Sequence, residues 1–140
     1  MATVLVSRRN IHLEWGDCDP AGIVYFPRYF EYFDACTAGL FEHAGMPKPD
    51  LLRRYRIAGI PVVDVKARFI TPSSFGDEVV VESSIVKWGN SSFVVRHALM
   101  KAEALAVECH ETRVWVARSE KGKLEARPIP GEVKEKFTVR

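Results

Sequence analysis

The spacing of apolar and polar residues changes twice along the chain. From about Val4 to Glu14 the two kinds alternate loosely, the period of a strand whose neighbouring side chains face opposite ways. Gly16-Asp17-Cys18-Asp19-Pro20-Ala21-Gly22 follows, and its glycines, aspartates and proline predict a loop. Beyond Pro27 the period becomes helical. At 100° per residue from Phe26, the residues Phe26, Tyr29, Phe30, Phe33, Cys36, Leu40, Phe41 and Ala44 fall within a stripe about 140° wide. Arg28, Glu31 and Glu42 lie opposite, and Gly45 and Pro47 supply a C-terminal stop. The pattern predicts one amphipathic helix of roughly five turns with a mostly aromatic face.

Pro49 to Arg56 fits a short second helix, after which the spacing returns to β. Strands are expected over Ile60–Ile70, Glu78–Trp88, Ser92–Lys101 and Ala106–Arg118. They are separated by turn-rich segments at 71–77, at Gly89-Asn90 and at Glu120-Lys121-Gly122-Lys123, and a short helix is expected after Pro130. One strand, one long helix and four further strands describe a single α+β domain over residues 1–140, a five-stranded antiparallel sheet curled around the helix with the four consecutive strands as a meander. Such a sheet has open edges, and dimerisation that joins two sheets edge to edge would close one of them.

Composition narrows the function classes. A hydrophobic share of 47% excludes a disordered chain. No apolar run approaches the roughly 20 residues of a membrane span, and MATVLVSRRNIHLEW has no secretory pattern, so the cytoplasm is the expected compartment. The 20 basic and 18 acidic residues are interspersed and leave a net charge of +2, which argues against nucleic acid as a partner. Cys18, Cys36 and Cys109 form no disulfide framework, and His12, His43, His97 and His110 have no metal-ligand spacing. Neither a metal nor a redox cofactor is expected.

The run from Gly16 to Pro27, GDCDPAGIVYFP, closely resembles the signature of the 4-hydroxybenzoyl-CoA thioesterase family. Further matches are Tyr29, Asp34-Ala35, Gly59–Val63, Lys87-Trp88, Ser92-Phe93-Val94 and Arg96-His97. The resemblance implies a hot-dog fold, an acyl-CoA substrate, and a homodimer or homotetramer whose active sites are shared between chains. It also implies that Asp19 is the catalytic carboxylate, attacking the thioester carbonyl or activating water. The Phe26 amide would hold the carbonyl oxygen, Gly22 would let the backbone approach the substrate, and Tyr25, Pro20 and Asp34 would line the acyl site. An oxygen that gains negative charge suits a helix N-terminus, where N–H groups are unpaired.

The residues themselves leave alternatives. Asp before a helix is commonly an N-cap or an Asx-turn residue, which is the structural alternative for Asp19, and Asp17 fits a structural turn role. Cys18 is flanked by two carboxylates that disfavour a thiolate, so a buried structural cysteine is expected. Asp34 lies about 80° around the helix from Phe26, at the rim of the apolar stripe, so it is expected at the core edge or an interface, as a hydrogen-bond acceptor or in an ion pair. One departure concerns the nucleotide. Where the hydroxybenzoyl enzyme has a basic run, this chain has Gly89-Asn90-Ser91-Ser92, and its later basic pair matches Lys123 and Glu125. Lys87, Arg118 and Lys123, with Lys121 and Arg127, are the candidates for CoA contact. The aromatic first turn favours an aryl acyl group over an aliphatic one. A short-chain aliphatic thioesterase, a dehydratase and a non-catalytic acyl-CoA binding module remain as other readings. No histidine lies between Asp17 and Tyr32 to serve a dehydratase.

Overall fold

The computed structural model describes residues 3–139. Strand β1 (Thr3–Val4) precedes β2 (Ser7–His12), a single 3-10 turn (Trp15–Asp17), and the long helix α1 (Phe26–His43). Then come α2 (Lys48–Tyr55), β3 (Val62–Phe69), β4 (Glu78–Trp88), β5 (Ser92–Lys101), β6 (Ala104–Val114), β7 (Val116–Arg118), β8 (Leu124–Ala126), α3 (Gly131–Glu135) and β9 (Thr138–Val139). Helix α1 tolerates Pro27 because the first-turn N–H groups have no intrahelical acceptor. It stops at Gly45, whose φ of +83° few other residues adopt readily, and the Met46 N–H closes the end on the Phe41 carbonyl at 2.8 Å.

The main sheet is antiparallel with order β2-β4-β5-β6-β3. Only β4, β5 and β6 form the expected meander. Strand β3 skips its successor and pairs with β6, because the 70–77 connection crosses the sheet end, where Ile70 and Thr71 both donate to the Ala106 carbonyl. The expected first strand is also two pieces, since the chain changes partner from β9 to β4 near Leu5. Likewise the strand expected over Ala106–Arg118 breaks at Trp115. The Trp115 ring is buried, the backbone N–H of Trp115 donates to the Ser91 carbonyl, its carbonyl accepts from the Arg127 N–H, and β7 leaves the sheet to pair with β8.

Helix α1 lies on the inner sheet face and buries Tyr29, Phe33, Cys36, Thr37, Leu40 and Phe41. The core has two apolar clusters. One gathers Tyr29, Phe33 and Leu13 near the loop that precedes α1, and the other gathers Leu40, Phe41, Phe93 and Trp115. Between them runs a band of buried polar groups: Thr37, Ser83, His97, Glu111 and Arg113. Strand β3 is the outer edge beyond β6, and Val62, Val63, Val65 and Phe69 on it stay exposed. No helix among the described residues is long and apolar enough to cross a membrane.

Phe41 tests the second cluster. It is fully buried, with the rings of Phe137 and Phe93 at 4.8 and 5.8 Å. Phe41→Ala is expected to cost about 3–5 kcal/mol of unfolding free energy, measured by urea denaturation. A loss below about 1 kcal/mol would show that the cluster does not support the fold.

Candidate active site

The 16–22 loop is a narrow hairpin held by its own backbone. Asp19 N–H donates to the Ile23 carbonyl and Gly22 N–H to the Asp19 carbonyl, each at 2.9 Å. Gly22 sits at φ +82°, and a Cβ there would meet nothing within 4 Å. The turn's left-handed backbone therefore calls for a glycine here, with no protein atom close enough to exclude a side chain. The half-buried Asp19 accepts the Ala21 N–H on Oδ1 at 2.8 Å, and its Oδ2 has no hydrogen-bond partner among the described residues. Asp19 is thus a turn former and not the helix cap: the N-cap is Tyr25, which makes no side-chain cap bond.

Asp17 is structural. Its Oδ2 accepts the Glu14 N–H at 3.0 Å, its carbonyl accepts the Tyr25 N–H at 2.8 Å, and Arg28 lies 4.0 Å from Oδ1. Cys18 is half-buried rather than buried, because its thiol turns outward toward the Glu14 carbonyl at 3.7 Å. At the start of α1, Pro27 has no N–H and the Arg28 N–H is taken by the Tyr25 carbonyl. The Phe26 N–H has no protein acceptor among the described residues. The Phe26 N–H is therefore a free donor among the described residues at the start of the helix, next in sequence to the loop that carries Asp19, and the dipole adds partial positive charge there. Pro20, Tyr25 and Phe26 are exposed, and the Tyr25 and Phe26 rings are 5.9 Å apart.

Asp34 lies eight residues further along α1, about 12 Å at the helical rise. Its side chain is 63% exposed, and Oδ1 accepts from Arg113 Nη2 at 2.9 Å. The ion pair expected for this residue is present, while the rest of its side chain is open to solvent. Asp34 opens onto a cleft of about 450 Å³ whose apolar walls include Leu51, Ile60, Val62 and Val116. No residue of the 16–27 segment lines that cleft.

Behind Asp34 runs the buried polar band. Thr37 Oγ1 donates to Glu111 Oε1 at 2.7 Å, and His97 Nε2 lies 3.1 Å from both Thr37 Oγ1 and Glu111 Oε1. Thr37 has one proton and directs it to Glu111, so Nε2 is the donor in its contacts with these two groups, and Nδ1 lies 2.7 Å from the Ser83 hydroxyl. Burial pushes the Glu111 carboxyl up, but hydrogen bonds from His97 and Arg113 outweigh it and hold the group down at about 2.

The cation candidates are scattered. Arg118 and Lys123 come together on the β7–β8 hairpin, where Arg118 donates to the Gly122 carbonyl at 2.7 Å and also lines the Asp34 cleft. Lys121 is exposed in the same turn, and Lys87 stands apart on β4. Arg127 is paired with Glu125, the acidic residue that departs from the hydroxybenzoyl pattern. Among the described residues no three His, Cys, Asp or Glu side chains are grouped to hold a metal ion.

The family model described as the thioesterase-like superfamily matches residues 13–137. The chain belongs to that superfamily. The 4-hydroxybenzoyl-CoA thioesterase of Pseudomonas sp. (strain CBS-3) is 34% identical over 127 residues, covering 86% of this chain and 89% of that enzyme. The solved structure of 4-hydroxybenzoyl-CoA thioesterase from the same strain superposes with a TM-score of 0.87 at 30% identity, covering 94% of this chain and 99% of that one. A gentisyl-coenzyme A thioesterase structure matches with a TM-score of 0.79, also at 30% identity, over 94% and 98% of the two chains. The fold of this thioesterase is therefore the hot-dog fold, a five-stranded antiparallel sheet packed on one long helix.

Sequence reasoning passed over Glu111, Arg113, Thr37 and Ser83. A signal was present: Val107 and Cys109 face inward, and the period of two carries Glu111 and Arg113 to the same face. The low pKa of Glu111 predicts the acid limb of the thioesterase's stability. A carboxylate held at about 2 contributes stability that is full above its ordinary value near 4.5 and is lost as pH falls from there toward 2. Urea unfolding of Glu111→Gln and the parent should therefore differ most at neutral pH and converge between about pH 4.5 and 2. A difference that stays constant over that range would contradict the assignment.

Proposed function

We propose that this thioesterase hydrolyses an aromatic acyl-CoA to the free acid and CoA, with Asp19 as nucleophile or general base. That the chain is an acyl-CoA thioesterase rests on its family and its relatives. The observation that carries the mechanism is that, among the described residues, one carboxylate oxygen of Asp19 and the Phe26 N–H at the head of α1 have no hydrogen-bond partner, on either side of the same short segment. A carboxylate can attack the thioester carbonyl or take a proton from water. The Phe26 N–H suits the oxygen that becomes negative in the transition state. Gly22 keeps the turn in the form that presents Asp19. The thiolate of CoA leaves without a strong acid, so the lack of a histidine in the loop is no obstacle.

The aryl preference is supported by the exposed Tyr25 and Phe26 rings beside the loop and by Asp34, whose carboxylate can accept a hydrogen bond from a ring hydroxyl. The Asp34 cleft takes no wall from the Asp19 loop. That separation favours sites shared between two chains, joined through the apolar edge of β3. Arg118 and Lys123 serve the CoA phosphates in this reading, with Lys87 as a further contact. No metal or other cofactor takes part in it.

Asp19→Asn retains an oxygen for the Ala21 N–H, so the loop should stay folded while turnover falls by about 10³ or more. Asp17→Asn should cost far less, and near-parental thioester hydrolysis by Asp19→Asn would refute the carboxylate mechanism. Among benzoyl-, 4-hydroxybenzoyl-, phenylacetyl- and hexanoyl-CoA, the aryl esters should have the higher kcat/KM. Asp34→Ala should erase any gain from the 4-hydroxyl, and faster turnover of hexanoyl-CoA than of every aryl ester would overturn the substrate class. Sedimentation at micromolar concentration should give a dimer or tetramer; an active monomer would defeat the shared site.

A further inference from the structure

The side chain that fixes Asp34 is one of the most buried cations in the molecule. Arg113 is 3% exposed, and its guanidinium is held from three directions. Nη1 donates to the Ile60 carbonyl at 3.1 Å, and Nε and Nη2 donate to the two oxygens of Glu111 at 3.1 and 3.3 Å. Glu111 is itself fixed by Thr37 and His97. What remains of the fork is the Nη2 contact to Asp34 Oδ1 at 2.9 Å, while Asp34 Oδ2 has no partner among the described residues. An exposed aspartate on a helix would otherwise sample several rotamers. Here one oxygen is pinned to a rigid donor and the other is left for the cleft.

We propose that Arg113 is the positioning residue of the acyl site: anchored by Glu111 and the Ile60 carbonyl, it orients Asp34 so that one acceptor atom faces the substrate. This rests on the reading of Asp34 as the group that meets the acyl ring. A guanidinium can only donate. It therefore dictates which end of any replacement at position 34 it binds. In Asp34→Asn only the amide oxygen can accept from Arg113, so the NH₂ must turn to the cleft. An acceptor site becomes a donor site, and preference should move from a 4-hydroxyl to a para group that accepts but cannot donate. Lysine at 113 keeps the charge but cannot span Glu111, Ile60 and Asp34 together.

The test compares kcat/KM for benzoyl-, 4-hydroxybenzoyl- and 4-cyanobenzoyl-CoA in the full-length parent, Asp34→Ala, Asp34→Asn and Arg113→Lys. Arg113→Lys should lower the hydroxybenzoyl-to-benzoyl ratio by about tenfold, with the loss mainly in KM. Asp34→Asn should raise the cyano-to-hydroxy ratio by about tenfold over the parent. If the parent shows no preference for the 4-hydroxyl, or Asp34→Ala keeps that preference, the reading of Asp34 fails and the role of Arg113 falls with it. If Asp34→Ala erases the preference but Asp34→Asn leaves the cyano-to-hydroxy ratio unchanged, the role of Arg113 alone is overturned. A uniform fall for all three esters in Arg113→Lys overturns it too. Should Arg113→Lys lose its cooperative thermal transition, the Asp34→Asn ratio decides the matter.

Discussion

The contact on which the rest of the molecule depends is the one between Thr37 of α1 and Glu111 of β6, deep under the helix. A smooth aromatic helix on a smooth apolar sheet could slide or rotate by one position at small cost. The buried hydrogen bond removes that freedom, because a displaced Thr37 would leave Glu111 and His97 short of a partner in a low-dielectric interior. Such a band adds little net stability compared with an apolar one of the same shape. Its role here is registry: it sets the rotation of α1, and with it the direction in which Asp34 leaves the helix and the height at which Phe26 meets the loop.

Much of this was legible from the residues, and the reason lies in period. The α1 stripe and the bounds of β4 and β5 follow from apolar spacing, because those elements bury one continuous face. Strand order was not legible, since nothing in the alternation of β3 distinguishes β4 from β6 as its neighbour. The break at Trp115 was hidden for a related reason: an apolar residue continues the pattern of a strand even where the backbone turns to another partner.

The loop shows the same division. Its turn formers announced a hairpin, and Gly22 has the positive φ that such a turn demands. The partner of Asp19 was not readable, because capping and turn bonding use the same residue type in the same neighbourhood. The charged pair on β6 was overlooked for a simpler reason. Glutamate and arginine are discounted as core residues, yet each here is neutralised by the other.

The polar band also divides what lies on either side of it. The cluster around Phe33 and the cluster around Phe41 share no apolar border, only the hydrogen-bonded layer between them. Changes in one reach the other only through α1 and this shared layer, so substitutions far from the layer should combine almost independently. The half beneath the 16–22 loop can therefore be resized without the other half answering for it. An evolving lineage of this fold can remodel one end while the opposite end still supplies the stability that the remodelling consumes.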